Sequence, residues 1–179
     1  MFYKQTYTTP KNFSNMIMTS DGEYLTGLYF VLSNDNKNQN NYIEKNLPIF
    51  DETRKWLDIY FSGKEPNFIP KLKINELTPF RNDVIEQIKL IKYGKTATYN
   101  EIAKFIANKR NIPKMSCQAV GGAVGWNPIC IIIPCHRVVG SKGNLTGFSG
   151  GMQNKIELLK LEQNNMDKFF IRKKGKKDE

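Results

Sequence analysis

One of the two longest uninterrupted apolar runs in the chain, five residues each, is Ile129-Cys130-Ile131-Ile132-Ile133, closed on both sides by Pro128 and Pro134. Proline withholds a backbone N–H and biases the residue before it away from helical geometry, so this run is confined to a short extended segment. A bilayer-spanning helix needs roughly 18 or more apolar residues, so no membrane helix is expected anywhere in the chain. The N-terminus, Met1-Phe2-Tyr3-Lys4-Gln5, has no basic stretch followed by an apolar one. No secretory signal is therefore expected, and the cytoplasm is the expected location. With 179 residues, 40% of them hydrophobic, there is enough apolar mass for one core or two small ones.

Three cysteines (Cys117, Cys130, Cys135) and a single histidine (His136) restrict the available chemistry. A closed zinc site wants four Cys or His ligands in spaced pairs, and no CxxC or HxxxH pair occurs, so no metal is expected. An odd, sparse cysteine count without an export signal also argues against a disulfide framework. At least one thiol should be free.

Charge divides the chain. Residues 1–77 carry nine basic and nine acidic side chains, residues 78–163 carry twelve and five, and residues 164–179 carry six and three, so the whole net charge of +10 lies in the C-terminal part. Such asymmetry is the footprint expected for a polyanion, because each cation set near a phosphate releases a condensed counterion. A Lys-rich, merely soluble surface fits the same numbers equally well.

The pattern predicts short strands over residues 2–8, 14–19 and 24–32, with Asp21-Gly22 as a hairpin turn, and hence an antiparallel sheet. The polar stretch 33–41 predicts a mobile loop. A helix is expected over 51–61, stopped by Gly63, followed by an extended connector between Pro66 and Pro70. Beyond residue 77, Thr78-Pro79 predicts a helix start, with Val84, Ile85, Ile88 and Ile91 continuing a stripe toward Gly94. Thr98-Tyr99-Asn100-Glu101 is a capping box opening a helix through residue 107. Lys109, Arg110 and Lys114 then mark a basic loop. In residues 116–125 the small residues Ala119, Gly122 and Ala123 fall on one helix face, which suits either close helix packing or a backbone laid against a ligand or groove. Two short helices joined by a turn resemble a helix-turn-helix. A last helix is expected over 152–163, with residues 164–179 as a basic, disordered tail.

Cys135 and His136 are adjacent in a Pro-bounded, non-helical stretch. A thiol becomes a useful nucleophile when a base or cation stabilises its thiolate, and a nearby histidine can do that directly or through water. A buried Cys beside an incidental His is the bland account. At about 100° per residue, Met152, Ile156, Leu158 and Leu159 form an apolar face, and Glu162 falls between Leu158 and Leu159. An acid so placed should meet a partner inside the fold, the lone imidazole being the natural candidate. The competing account has Glu162 bending to solvent or pairing with Lys155.

Ile133-Pro134-Cys135-His136-Arg137-Val138-Val139 resembles the active-site signature of the O6-alkylguanine-DNA alkyltransferases, the methylated-DNA-protein-cysteine methyltransferases. The resemblance extends to Thr78-Pro79-Phe80, to residues 94–99, to Ala119-Val120-Gly121-Gly122-Ala123, to Asn127-Pro128 and to Phe148-Ser149-Gly150-Gly151. It implies an α/β chain with an N-terminal ribonuclease H-like mixed domain (1–77) and a C-terminal winged-helix alkyltransferase domain carrying the helix-turn-helix (78–163). It also implies monomeric DNA repair without a cofactor, in which a base rotated out of double-stranded DNA passes its O6 substituent to a cysteine that is not regenerated. O4-alkylthymine is a second substrate to consider.

Carried over by position, the resemblance makes Cys135 the acceptor, His136 the water-mediated base, Glu162 the residue orienting His136, and Asn127 a hinge before the active-site loop. Tyr99 would serve guanine N3 as the leaving group forms. The carbonyls of Cys135 and Val138 would take the exocyclic amine, the Ser149 amide would face O6, and Asn100 and Ser141 would touch the DNA backbone. Arg137 would be largely structural. Where the family usually has an arginine filling the gap left by the flipped base, this chain has Gln118, which forfeits a charge and a stacking plane. Weaker DNA binding or slower flipping is expected, with Lys109, Arg110 and Lys114 as compensation. Two other readings are a non-transferring alkylated-DNA-binding protein, which would lack the reactive cysteine, and a cysteine hydrolase built on Cys135, His136 and Glu162.

Overall fold

The computed structural model describes residues 1–31, 33 and 41–171. Its sheet begins with β1 (Tyr3–Tyr7), β2 (Met16–Ser20) and β3 (Leu25–Phe30), paired antiparallel in sequence order. The turn between β2 and β3 forms because Asp21 Oδ1 accepts from the backbone N–H groups of Glu23 (3.2 Å) and Tyr24 (3.0 Å), while Gly22 supplies a φ of 114°. β4 (Ile43–Glu44) adds in parallel to the outer side of β1, making the sheet mixed, in the order β3-β2-β1-β4. Both β4 residues are exposed, so no alternation in the sequence announced the strand. Most of the expected loop 33–41, and residue 32 of the third expected strand, lie outside the described residues.

Helix α1 (Pro48–Phe61) starts three residues before the expected 51, with Pro48 in its first turn, where the missing N–H has no helical partner to lose. It buries Ile49, Phe50, Trp56, Leu57 and Tyr60. α2 (Pro79–Lys89) is capped by Thr78, whose hydroxyl accepts from Arg81 N at 3.3 Å. It ends before Ile91, which is buried beyond the helix. β5 (Ala97–Thr98) leads into α3 (Tyr99–Lys109) through a complete capping box between Thr98 and Glu101. α4 (Cys117–Gly125) follows, capped by Ser116, then the Pro-bounded segment, β6 (Val138–Val139) parallel to β5, and α5 (Met152–Leu161).

Within α4, Ala119 and Gly122 are exposed while Val120, Ala123 and Val124 are buried, and a side chain added at Gly122 would meet nothing within 4 Å. Close packing therefore does not explain the two exposed small residues. The first residues of the expected disordered tail are also ordered: a 3-10 turn spans Met166–Lys168, Phe170 N donates to Gly143 O at 3.1 Å and Leu145 N to Phe170 O at 2.8 Å. Apolar Met166 and Phe169 pack on a small cluster of Val139, Leu145 and Leu159, an attraction that net charge concealed. Residues 172–179 lie outside the described residues.

One contiguous core runs from Tyr7 and Met16 through Tyr60, Ile88 and Ile106 to Cys135 and Leu158, so both halves of the chain share it. The junction is made by backbone. The segment after Asn127 docks on β3, with Leu28 N donating to Pro128 O (2.8 Å) and Cys130 N to Leu28 O (2.9 Å). The N-terminal sheet thus holds the stretch that leads to Cys135. No helix among the described residues is long and apolar enough to cross a membrane.

Candidate active site

Cys135, His136 and Arg137 form one 3-10 turn introduced by Pro134, and all three are buried. A turn of this pitch sends adjacent side chains in different directions, which is why neighbours in sequence can serve different partners. Asn127 braces the approach. Its Nδ2 donates to the carbonyls of Ile133 (2.8 Å) and Ile129 (3.3 Å), and its Oδ1 accepts from Ile129 N (3.1 Å). One amide side chain therefore ties both ends of the Pro-bounded run. Within that run Ile131 has a φ of 70°, an uncommon geometry for a β-branched residue.

His136 is fully buried, and its Nε2 lies 2.7 Å from Glu162 Oε1. Glu162 caps the C-terminus of α5 and is buried; it neither reaches solvent nor meets Lys155. Its carboxylate collects five further contacts: Tyr60 Oη donates to Oε1 (2.7 Å), Arg137 Nη2 to Oε1 (2.9 Å), Arg137 Nε to Oε2 (2.9 Å) and Oε1 (3.2 Å), and Gly94 N to Oε2 (3.2 Å). Burial pushes the Glu162 carboxyl up, but His136 and Arg137 outweigh it and hold the group down at about 2. Burial holds the His136 imidazole below its ordinary value, against the pull of Glu162, so the ring is neutral at pH 7. With Nε2 facing a carboxylate, the neutral ring carries its proton there. The lone pair is then on Nδ1, which is buried without a protein hydrogen-bond partner.

The Cys135 thiol is shifted down. The largest influence is a hydrogen bond from the Cys130 thiol; burial opposes it, and Asn127 and the Lys155 ammonium add to it. The sequence offers Lys155 only as a partner for Glu162. It is instead fully buried with Nζ donating to Val138 O (2.7 Å) and Thr146 O (3.1 Å). Burial depresses its pKa to about 8, against the attraction of Cys135. Lys155 lies on the same apolar face as Glu162, so the sequence marks it as inward-facing, but its two carbonyl partners and the role of Cys130 are set only by the fold.

A 580 Å³ cavity, with Cys135 not among its lining residues, is lined by Tyr99, Cys117, Gln118, Gly121, Gly125, Thr146, Gly147, Phe148 and Ser149. It unites three of the singled-out positions, Tyr99, Gln118 and Ser149. Burial raises the Tyr99 hydroxyl, partly offset by Thr146, so it is a proton donor at neutral pH. Asn100 and Ser141 are exposed, and Asn100 Oδ1 accepts from the Cys117 thiol at 3.8 Å. The Val138 carbonyl already takes the Lys155 ammonium and has one lone pair left for another donor. The expected compensation for Gln118 is smaller than the sequence implied: Lys109 (2.5 Å) and Arg110 (2.6 Å) both pair with Asp83, so much of their charge is matched within the protein. Among the described residues no three His, Cys, Asp or Glu side chains converge as metal ligands would.

A buried His136–Glu162 pair next in sequence to a thiol with a lowered pKa, in the basic half of the chain, suits thiolate chemistry, and comparison with known proteins narrows the class. Residues 79–164 match the family model described as 6-O-methylguanine DNA methyltransferase, DNA binding domain. A methylated-DNA-protein-cysteine methyltransferase of Haemophilus influenzae is 37% identical over 154 residues, covering 86% of this chain and 83% of that protein. One of Methanosarcina barkeri is 47% identical over 122 residues, 68% of this chain and 73% of that protein. The crystal structure of Mycobacterium tuberculosis O6-methylguanine methyltransferase superposes with a TM-score of 0.77 at 32% identity, over 91% of this chain and 93% of that one. The M. tuberculosis protein solved in complex with DNA gives 0.76 at 30% identity, over 93% and 94%. The chain belongs to the methylated-DNA-protein-cysteine methyltransferase family.

Proposed function

We propose that this chain repairs O6-alkylguanine in double-stranded DNA by moving the alkyl group, once, onto Cys135. The observation that carries the reading is the state of His136: Glu162 engages Nε2 at 2.7 Å, leaving the Nδ1 lone pair buried without a protein partner, on the residue next in sequence to a thiol whose pKa is lowered. His136 takes the thiol proton through a water. The Cys135 sulfur attacks the alkyl carbon, the C–O6 bond breaks, and its electron pair passes into the purine, where Tyr99 meets the charge at N3. A thioether remains on the protein, so each chain acts once and no cofactor is consumed.

The other assignments belong to the same proposal. Asn127 is the hinge, and Arg137 is structural through its fork on Glu162 and its 2.6 Å bond to the Ile91 carbonyl. The carbonyls of Cys135 and Val138 and the Ser149 amide read guanine. Gln118 fills the vacated stack, and Asn100 and Ser141 contact the backbone. Residues 1–77 form the ribonuclease H-like domain, 78–163 the winged-helix domain and 164–179 the basic tail, of a cytoplasmic monomer. The family match over residues 79–164 and the charge break near 77 support that division.

Counting product per chain tests the reading against a cysteine hydrolase. With excess O6-methylguanine duplex, repair should stop at one lesion per protein, and continued release of product from esters or amides would contradict it.

A further inference from the structure

We propose that Tyr60, in the half of the chain outside the matched DNA-binding domain, is a positioning residue that sets the tautomer and basicity of His136 through Glu162. The inference rests on the alkyl-transfer reading and extends it to a residue of helix α1. Tyr60 is fully buried, its ring packed against Trp56 at 5.3 Å and Tyr93 at 6.1 Å, so its hydroxyl has a fixed address. That hydroxyl lies 2.7 Å from Glu162 Oε1 and 3.3 Å from His136 Nε2.

A phenol has one proton to give. Spent on the carboxylate, it leaves only a phenolic lone pair and a carboxylate oxygen facing Nε2, and both are acceptors. Nε2 must then carry hydrogen, which reserves the Nδ1 lone pair for proton removal. Burial, and after it Glu162, raise the Tyr60 hydroxyl well above its ordinary value, so it remains a donor throughout the working range. The groups around the imidazole are accounted for: Glu162 stabilises its charged form, while Arg137, on its own turn, and Lys155, on α5, oppose it. The Tyr60 hydrogen bond spreads charge away from Glu162 Oε1. Without it the carboxylate is a stronger partner for an imidazolium, and His136 gains a proton at higher pH.

His136 is the only histidine, so its ring nitrogens can be followed by 15N NMR without ambiguity. Wild-type protein should show the Nε2–H tautomer, and Tyr60→Phe should move the titration midpoint to higher pH. The low-pH limb of the alkyl-transfer rate should move the same way, the variant losing at least about threefold more rate at pH 6 than at pH 8. Tyr93→Phe is the control, because the Tyr93 hydroxyl bonds the Leu161 carbonyl (3.3 Å) and not Glu162. A folded Tyr60→Phe protein, checked by thermal melting, whose midpoint and limb stay in place overturns the proposal, as does an equal shift in Tyr93→Phe. Wild-type protein that leaves lesion DNA untouched overturns the alkyl-transfer reading, and the imidazole titration still decides Tyr60.

Discussion

Lys155 is a charged side chain with no carboxylate partner among the described residues, held by two carbonyls, and its charge lowers the Cys135 pKa. Lys155→Met removes that cation while keeping most of the volume, so the Cys135 thiol becomes less acidic. Alkyl transfer and iodoacetamide labelling of Cys135 at neutral pH should each fall by about tenfold, recovering as pH rises; unchanged labelling would count against the electrostatic role. Protons also make acid stability a residue-scale property. His136 is lowered in the folded state, so below its ordinary 6.5 the unfolded chain binds a proton that the folded chain refuses. Glu162 is lowered from 4.5 to about 2, so the unfolded chain gains a second such proton below 4.5. Both terms are absent at high pH and grow as pH falls, so unfolding free energy should drop steadily from pH 7 toward pH 4. Denaturant titrations across that range check it, and a flat profile would be inconsistent with the buried pair. Glu162→Gln should be costlier still, about 3–5 kcal/mol at pH 7, because it strands the Arg137 guanidinium.

At the level of elements, Tyr99 owes its position to the capping box that starts α3. Thr98 Oγ1 accepts from Glu101 N at 3.1 Å, and Glu101 Oε2 accepts from Thr98 N at 2.6 Å. Thr98→Ala should cost about 1 kcal/mol of stability, with a drop in repair rate because Tyr99 is the first residue of the frayed turn. Thermal melting together with single-turnover kinetics separates the two effects. This box was legible in four consecutive letters because capping is a local interaction. So were the Asp21-Gly22 turn and the Thr78-Pro79 start. The docking of Pro128 and Cys130 on Leu28 was not, because an apolar run bounded by prolines says that a segment is extended without saying which strand edge receives it. β4 escaped for a related reason: two exposed residues paired by backbone alone leave no side-chain pattern.

Across the whole molecule, the chemistry was more legible than the electrostatics. Cys135, His136 and Glu162 could be singled out because a lone histidine beside a thiol and an acid on an apolar helix face each break a local expectation. Tyr60 and Cys130 break none, and Lys155 breaks the same one as Glu162 without naming its partners; Tyr60 joins the site only because the two halves of the chain share a core. The net charge of +10 likewise does not say which cations are free: Lys109 and Arg110 share Asp83, a carboxylate already counted in that sum. Asp83→Asn should release both, steepening the dependence of log affinity on log salt by about 0.9 for each phosphate newly contacted. A slope identical to wild type would show that these cations do not reach DNA. The claim beneath all of this is that the alkyl carbon ends on one particular sulfur. Peptide mass mapping after incubation with O6-methylguanine duplex measures it directly: one added methylene unit on the peptide containing Cys135, and none in Cys135→Ala, is the predicted result. An unmodified Cys135, or the added mass on Cys117 or Cys130, would contradict it.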